Sequence, residues 1–261
     1  DYYASHGLGD VYKRQLSAAD LFTYLYFEEL NIDPKEPKKA DRDRFVLSKG
    51  HTAPGLYSVL AQRGYFPVED LKTLRHTGSY LQGHPDMKHI PGVDMSSGSL
   101  GQGISAAVGM AIAGKLDNAD YRVYTLLGDG EIQEGQVWEA AMLAAHKKLD
   151  NLVVIVDNNN LQIDGAIDEV NSPYPIDKKF EAFNFHVINI DGNDFDQIDA
   201  AFKEAKTVKG CPTAIIAKTI KGKDVSFMEN QAGWHGKAPN DEEYAVAMAD
   251  LEKVGEALCQ M

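Results

Sequence analysis

The stretch from Tyr121 to Gly165 contains two short apolar runs, each followed at once by a polar turn. Residues 123–127 lead into Gly128-Asp129-Gly130, and residues 152–156 lead into Asp157-Asn158-Asn159-Asn160. An alanine-rich stripe with helical spacing lies between the two runs, so the stretch predicts a strand–helix–strand unit with parallel strands. Both turns then lie at the carboxyl edge of one sheet, where open α/β sheets bind ligands.

The two turns carry side chains suited to a metal ion and a bound anion. Asp129 and Asn159 are 30 positions apart (159 − 129), and the crossover brings them together. Carboxylate, carboxamide and backbone carbonyl oxygens are hard ligands that suit Mg²⁺ or Ca²⁺. The glycine-rich turn ahead of a helix offers backbone N–H groups to an anion. The alternative is that both residues only cap their own turns, but the whole pattern favours a metal–diphosphate site.

The spacing of GDG and NN resembles the thiamine-diphosphate-binding signature, and the fuller sequence resembles the N-terminal part of a transketolase. The resemblance extends from Leu16 to about Asn240. It implies an α/β fold of the thiamine-diphosphate-binding (PP-type) class, with a parallel sheet flanked by helices on both faces. It also implies that Asp129, the side chain of Asn159 and the backbone carbonyl of Leu161 hold the metal.

Further cofactor contacts follow from the same resemblance. Gly128 and Gly130 would lie at the diphosphate, and Ile163 would contact the thiazolium ring. In the segment SSGSLGQG, Gly98 and Leu100 would pack near the aminopyrimidine and thiazolium rings.

Two glutamates are also considered as site residues. Exposed glutamates in the first turns of a helix are usually solvated partners of the helix dipole. The resemblance instead implies that Glu134, which we assign to the cofactor site, joins Glu139 in a carboxylate network across a subunit interface.

Three histidines stand in motifs that resemble those of transketolases: His51 in SKGHTAPGLY, His84 in GHPD and His235 in WHGKAP. The resemblance implies that His51 contacts the diphosphate and the substrate, that His84 binds donor hydroxyls, and that His235 reaches the diphosphate and the reacting carbonyl. Imidazoles can polarise oxygens and move protons near neutral pH. His76 and His89 lack a comparable context and are predicted to be solvated.

The remaining pattern predicts one α/β domain over residues 16–261, without a linker or internal repeat. Residues 1–15 fit poorly: they lack an initiator Met and clear periodicity, and His6 does not match the family's first histidine. We expect that the native N-terminus is missing or replaced. Further strands are predicted at residues 44–47, 186–190 and 212–219. Further helices are predicted at residues 17–30 (with Ser17 as N-cap), 56–60, 69–75, 104–115, 176–185, 196–207 and 240–258.

Composition excludes some classes of partner. The net charge of −13 argues against a nucleic-acid partner, which needs a basic surface. No apolar run approaches transmembrane length and no signal peptide is visible, so we expect no membrane association. The two cysteines, Cys211 and Cys259, form no motif, which favours a cytoplasmic protein with reduced thiols.

The resemblance also indicates what this chain lacks. In the family, the glutamate that contacts the aminopyrimidine and the arginines that bind the sugar phosphate belong to a second domain. We therefore predict the N-terminal subunit of a split transketolase, with thiamine diphosphate and Mg²⁺ or Ca²⁺ as cofactors. Its partner would be a C-terminal subunit carrying the pyrimidine-binding domain, in an α₂β₂ assembly.

The predicted reaction moves a two-carbon ketol unit from a ketose phosphate to an aldose phosphate. One alternative is a component of another thiamine-diphosphate enzyme, such as the α-subunit of a 2-oxo acid dehydrogenase or a deoxyxylulose-phosphate synthase-like protein. The other is a non-catalytic homologue that keeps the fold.

Overall fold

The computed structural model describes residues 16–235, 237 and 239–259. The prediction for residues 1–15, including His6, lies outside these ranges.

A five-stranded parallel sheet forms the centre of the molecule. Its strands are β1 (Arg44–Leu47), β2 (Val123–Gly128), β3 (Leu152–Asn158), β4 (His186–Asp191) and β5 (Thr213–Lys218). They lie in the order β1-β2-β3-β5-β4, and every neighbouring pair is parallel. Because β2 and β3 are neighbours, the predicted strand–helix–strand unit is confirmed. A small antiparallel pair, Leu161–Gln162 with Gly165–Ala166, follows β3.

Helices connect and cover the strands. They are α1 (Ala19–Tyr24), α2 (Ala53–Arg63), α3 (Gln102–Leu116), α4 (Gly135–His146), α5 (Ile167–Asn171), α6 (Ile176–Ala182), α7 (Phe195–Thr207) and α8 (Asp241–Cys259). Short 3₁₀ turns occupy Leu16–Ala18, Gly50–Thr52, Val68–Thr73, Glu131–Gln133 and Ala232–His235. Within the described ranges, no helix is both long and apolar enough to cross a bilayer.

Hydrophobic side chains pack on both faces of the sheet. Every residue of β3 is buried, as expected for a parallel strand covered on two sides. Val153 and Ile155 pack with α1, α2 and α7, whereas Val154 and Val156 pack with α3, α4 and α6. The predicted fold, a parallel sheet with helices on both faces, is confirmed.

The first helical segment differs from its prediction. The α-helix begins at Ala19, after a 3₁₀ turn, and its N-cap position is Ala18. Ser17 Oγ instead donates to Asp157 Oδ2 at 2.7 Å, a contact between residues 140 positions apart. A π-helical turn over Leu25–Glu29 then ends the segment at Leu30, which is extended. The N-cap prediction for Ser17 was wrong because its hydroxyl donates to Asp157, a partner that the local sequence pattern cannot indicate.

Two other helices are shorter or of a different type than predicted. The segment predicted at residues 69–75 is a 3₁₀ turn over Val68–Thr73. The helix predicted to reach residue 185 ends at Ala182. It stops because Asn184 adopts a φ of 63° and the N–H of Phe185 bonds back to the Phe180 carbonyl at 3.1 Å. Asparagine tolerates this left-handed conformation at helix ends.

Candidate functional site

A cavity of about 320 Å³ lies at the carboxyl edge of the sheet, beyond β1, β2 and β3. Five chain segments supply its walls: the turns after these three strands, the loop before α3, and the segment before α8. The cavity is lined by Lys49, His51, Leu100, Gly128, Asp129, Gly130, Glu131, Gln133, Glu134, Asn159, Leu161, Gln162, Ile163, Lys221 and His235. The parallel order of β1, β2 and β3 therefore gathers residues that are far apart in sequence.

Most of the predicted site residues share this cavity. The ten that line it are His51, Leu100, Gly128, Asp129, Gly130, Glu134, Asn159, Leu161, Ile163 and His235. His84 and Gly98 lie beside it rather than on its wall. His84 is exposed, and its ring packs so closely on Gly98 that a Cβ there would be 3.1 Å from His84 Cδ2. The structure thus brings the predicted residues into one neighbourhood, with His84 on the outside.

The two polar turns are in direct contact. Asp129 Oδ2 accepts the backbone N–H of Asn160 at 2.6 Å, and Oδ1 accepts that of Gly130 at 2.8 Å. Asn159 Oδ1 accepts the backbone N–H of Leu161 at 3.2 Å. These bonds fix a carboxylate, a carboxamide and a backbone turn around the same end of the cavity.

The charge state of Asp129 fits a cation site. Burial, and secondarily repulsion from Asp157, raise the pKa of Asp129 to about 7. A divalent cation would oppose both effects, because it stabilises the ionised carboxylate. Within the described ranges, no group of three or more His, Cys, Asp or Glu residues could hold a metal ion. A carboxylate beside amide and backbone carbonyl oxygens is a hard donor set of the kind that suits Mg²⁺ or Ca²⁺.

Sequence reasoning missed a buried ion pair behind these turns. Lys49 is 2% exposed, and its Nζ pairs with Asp157 Oδ2. The carboxylate of Asp157 also accepts the hydroxyls of Ser17 and Thr219. Burial alone would raise the pKa of Asp157, but Lys49 holds it below its ordinary value. Asp157 thereby joins the ends of β1, β3 and β5 to the segment before α1.

A second missed cation lies across the cavity. Lys221 is 4% exposed, and its Nζ lies 2.9 Å from Nδ1 of His235. The rings of His51 and His235 lie 5.8 Å apart between their centroids. Two buried ammonium groups and two imidazoles therefore line the same cavity as the Gly128–Gly130 turn, an environment that suits an anionic diphosphate. Lysines after a strand usually point into solvent, so the residue types gave no signal for either cation.

One apolar and one acidic side chain of the cavity lining are exposed. Ile163 is 60% exposed, although isoleucine side chains are usually buried. Glu134 also lines the cavity and is exposed, as is Glu139 on α4.

A parallel α/β domain with oxygen donors and cationic side chains in a cavity at its carboxyl edge is typical of domains that bind phosphorylated cofactors. Residues 13–253 match the family described as transketolase, thiamine diphosphate binding domain. The chain therefore belongs to the transketolase family of transferases and carries its thiamine-diphosphate-binding domain. This match confirms the transketolase membership that the sequence motifs predicted.

Several relatives are named as transketolase subunits or as transketolases. A 6-deoxy-6-sulfo-D-fructose transketolase subunit of a Clostridium species is 47% identical over 249 residues, which cover 95% of this chain and 90% of the relative. An apulose-4-phosphate transketolase subunit of Phocaeicola vulgatus is 42% identical over 238 residues, covering 91% and 84%. Human transketolase is 46% identical over 225 residues, which cover 85% of this chain but 35% of the human protein.

Solved structures agree with this assignment. The crystal structure of transketolase from Campylobacter jejuni superposes with a TM-score of 0.86 at 34% identity, covering 95% of this chain and 40% of that one. The transketolase from Leishmania mexicana superposes with a TM-score of 0.83 at 30% identity, covering 98% and 43%.

Proposed function

We propose that this chain is the diphosphate-binding subunit of a two-subunit transketolase. The assembly transfers a two-carbon ketol unit from a ketose phosphate to an aldose phosphate. The observation that carries the proposal is the shared cavity, where hard oxygen donors, two imidazoles and two buried ammonium groups converge. The match to subunit-sized relatives over 84% and 90% of their length supports the two-subunit arrangement.

In this proposal, Asp129, the Asn159 side chain and the Leu161 carbonyl hold Mg²⁺, or Ca²⁺ in its place. Gly128 and Gly130 approach the diphosphate. The ammonium group of Lys221 opposes the diphosphate charge from the wall that also carries His235. The protein's overall charge of −13 repels an anion, so these local groups provide the attraction.

When bound, thiamine diphosphate would supply the nucleophilic carbon needed for ketol transfer. The histidines act on the substrate oxygens around that carbon. His51 and His235 line the cavity with their rings close together. In this proposal they polarise the substrate carbonyl and move its protons. His84, outside the wall, binds hydroxyls of the donor sugar. Gly98 and Leu100 support the cofactor rings.

The second polypeptide provides the pyrimidine-binding domain and covers the outer side of the cavity. Ile163 meets the thiazolium ring there, and Glu134 with Glu139 joins a carboxylate network across the subunit boundary. The assembly is α₂β₂, with cofactor at the interfaces, and it acts in the cytoplasm in the pentose phosphate pathway.

The relatives suggest which donors to assay. Two of them are named for 6-deoxy-6-sulfo-D-fructose and for apulose 4-phosphate. These ketoses therefore belong beside common ketose phosphates in a donor panel.

The test is to purify a tagged form of the chain from its source, identify the polypeptide that co-purifies, and assay ketol transfer with thiamine diphosphate and Mg²⁺. We expect transfer by the reconstituted pair and none by the chain alone. Strong activity of the isolated chain would contradict the two-subunit arrangement. Pyruvate accepted as the preferred donor would favour another thiamine-diphosphate enzyme. A pair that fails to bind the cofactor would favour a non-catalytic homologue.

A further inference from the structure

Glu131 is a buried glutamate in the 3₁₀ turn between the Gly128–Gly130 turn and α4. Its side chain forms part of the cavity wall and is 2% exposed. Oε1 accepts the Ser48 hydroxyl at 2.6 Å and the Gly101 N–H at 2.9 Å. Oε2 accepts the Gly128 N–H at 3.1 Å. One carboxylate therefore joins three segments that are distant in sequence.

Each of these bonds lies at, or one residue from, a residue that lines the cavity. Ser48 precedes Lys49, Gly101 follows Leu100, and Gly128 precedes Asp129. The hydrogen bonds to Glu131 therefore fix the separation between the wall at Leu100 and the turn at Asp129.

The contacts around this carboxylate leave little freedom for adjustment. Ser48 Oγ also accepts the N–H of Ile104, in the first turn of α3, at 3.2 Å. A Cβ on Gly103 would lie 2.5 Å from Ser48 Cα, so the backbones are already in contact. A segment released from Glu131 would have to move as a unit with its neighbours.

We propose that Glu131 is a positioning residue of the cofactor site, which holds the ring-side loop at Leu100 in register with the metal-side turn at Asp129. The inference rests on the proposed function and deepens it, because it assigns the relative placement of the two halves of the cofactor to one side chain.

A carboxylate is needed because both of its oxygens accept. In Glu131→Gln, one oxygen becomes an NH₂ group of nearly the same size. The Ser48 hydroxyl can rotate to accept from that group, but a backbone N–H cannot. Whichever way the amide turns, either Gly101 N–H or Gly128 N–H faces another donor, and that segment loses its bond.

Hydrogen exchange and cofactor binding test the inference on the full chain. In the cofactor-free chain, we expect Glu131→Gln to accelerate exchange at the amide of Gly101 or Gly128. In titrations with thiamine diphosphate at saturating Mg²⁺, carried out on the reconstituted pair, we expect an apparent Kd about tenfold weaker. With cofactor at saturation, kcat for ketol transfer should change less than the cofactor KM.

Two controls separate positioning from general stability. Glu181→Gln changes an exposed glutamate that pairs with Lys178 and should leave exchange and binding unchanged. Ile198→Val destabilises the opposite core layer and should lower the melting temperature without weakening cofactor binding. If Glu131→Gln fails to fold, Ser48→Ala removes one donor and should weaken binding about twofold.

Unchanged exchange at both amides, together with an unchanged cofactor Kd, would overturn the positioning role. The hydrogen-exchange measurement tests the positioning role of Glu131 even in the cofactor-free chain. Failure of the unmodified pair to bind thiamine diphosphate would instead overturn the proposed function.

Discussion

The carboxylate of Asp129 accepts the backbone N–H of Asn160 at 2.6 Å, across 31 positions of sequence. This bond places the carboxylate beside Asn159 in the second turn. We therefore expect Asp129→Asn to abolish metal-dependent binding of thiamine diphosphate, with an apparent Kd at least about 100-fold weaker, because one anionic ligand is lost. Calorimetric titration in the presence of Mg²⁺ measures this apparent Kd. Asp164→Asn, an exposed change in the neighbouring hairpin, is the matched control, and equal losses in both variants would contradict a metal role for Asp129.

The raised pKa of Asp129 predicts that metal binding depends on pH. Because the pKa rises to about 7 in the metal-free fold, the folded chain holds a proton that the unfolded chain releases near pH 4. The contribution of Asp129 to folding stability is fully present below about pH 4, and it is lost as the pH rises through about 7. A cation must displace the proton, so Mg²⁺ with thiamine diphosphate should raise the melting temperature more at pH 8 than at pH 6. An equal shift at both pH values in thermal-melt experiments would refute this linkage.

The buried pair of Lys49 and Asp157 predicts a large loss of stability when one partner is removed. We expect Lys49→Met to lower the free energy of unfolding by about 3–5 kcal/mol, because Asp157 would be left buried and unpaired. Urea denaturation measures the change. Lys178→Met, which breaks an exposed pair with Glu181, should cost no more than about 1 kcal/mol. Adding Asp157→Asn to Lys49→Met should recover part of the loss, and a strictly additive double variant would argue against coupling.

Substitutions of the three histidines should separate effects on cofactor binding from effects on catalysis. His84 lies outside the cavity wall, so His84→Ala should leave the cofactor Kd within about twofold while ketol transfer falls by roughly 100-fold. His51→Ala and His235→Ala change the wall itself and should weaken both binding and transfer. Steady-state kinetics of the reconstituted pair provide the readout, with exposed His146→Ala on α4 as a control. Retention of full activity by His84→Ala would remove it from the proposed mechanism.

The exposed side chain of Ile163 predicts where the second polypeptide lies. Burial of an isoleucine against a partner contributes about 1.5–3 kcal/mol, so Ile163→Ser should weaken the association of the two polypeptides by roughly tenfold or more. Analytical ultracentrifugation of the pair measures this. Val246→Ser on α8 alters a side chain that is 48% exposed and should have little effect. Comparable weakening by both variants would mean that the interface is not centred on the cavity rim.

The strands around the site were predictable because their signal is local. Residues 152–156 form an unbroken apolar run bounded by polar turns, and β3 extends that run by only Asp157 and Asn158. The same run predicted parallel pairing with β2, which in turn predicted that the two polar turns meet. The fold and the central part of the cavity followed from this one unit.

The buried polar network was not predictable from the sequence. Lys49, Glu131, Asp157 and Lys221 are residue types that usually lie in solvent, yet each is at most 4% exposed. Their burial depends on partners in other segments, such as the Ser17 hydroxyl that reaches Asp157. The incorrect N-cap assignment of Ser17 has the same cause, because a local pattern cannot anticipate a hydrogen bond to the end of a strand 140 positions away.

Pairing of β1 with β2 joins Arg44 to Val123, which are 79 positions apart (123 − 44). Such long-range contacts form slowly, because chain entropy must be lost before they become favourable. The walls from Lys49 to His235 meet only where this pairing has formed, so the cavity is complete only in the folded chain. Cofactor added during synthesis would therefore stabilise finished molecules by mass action and would do little to speed their folding.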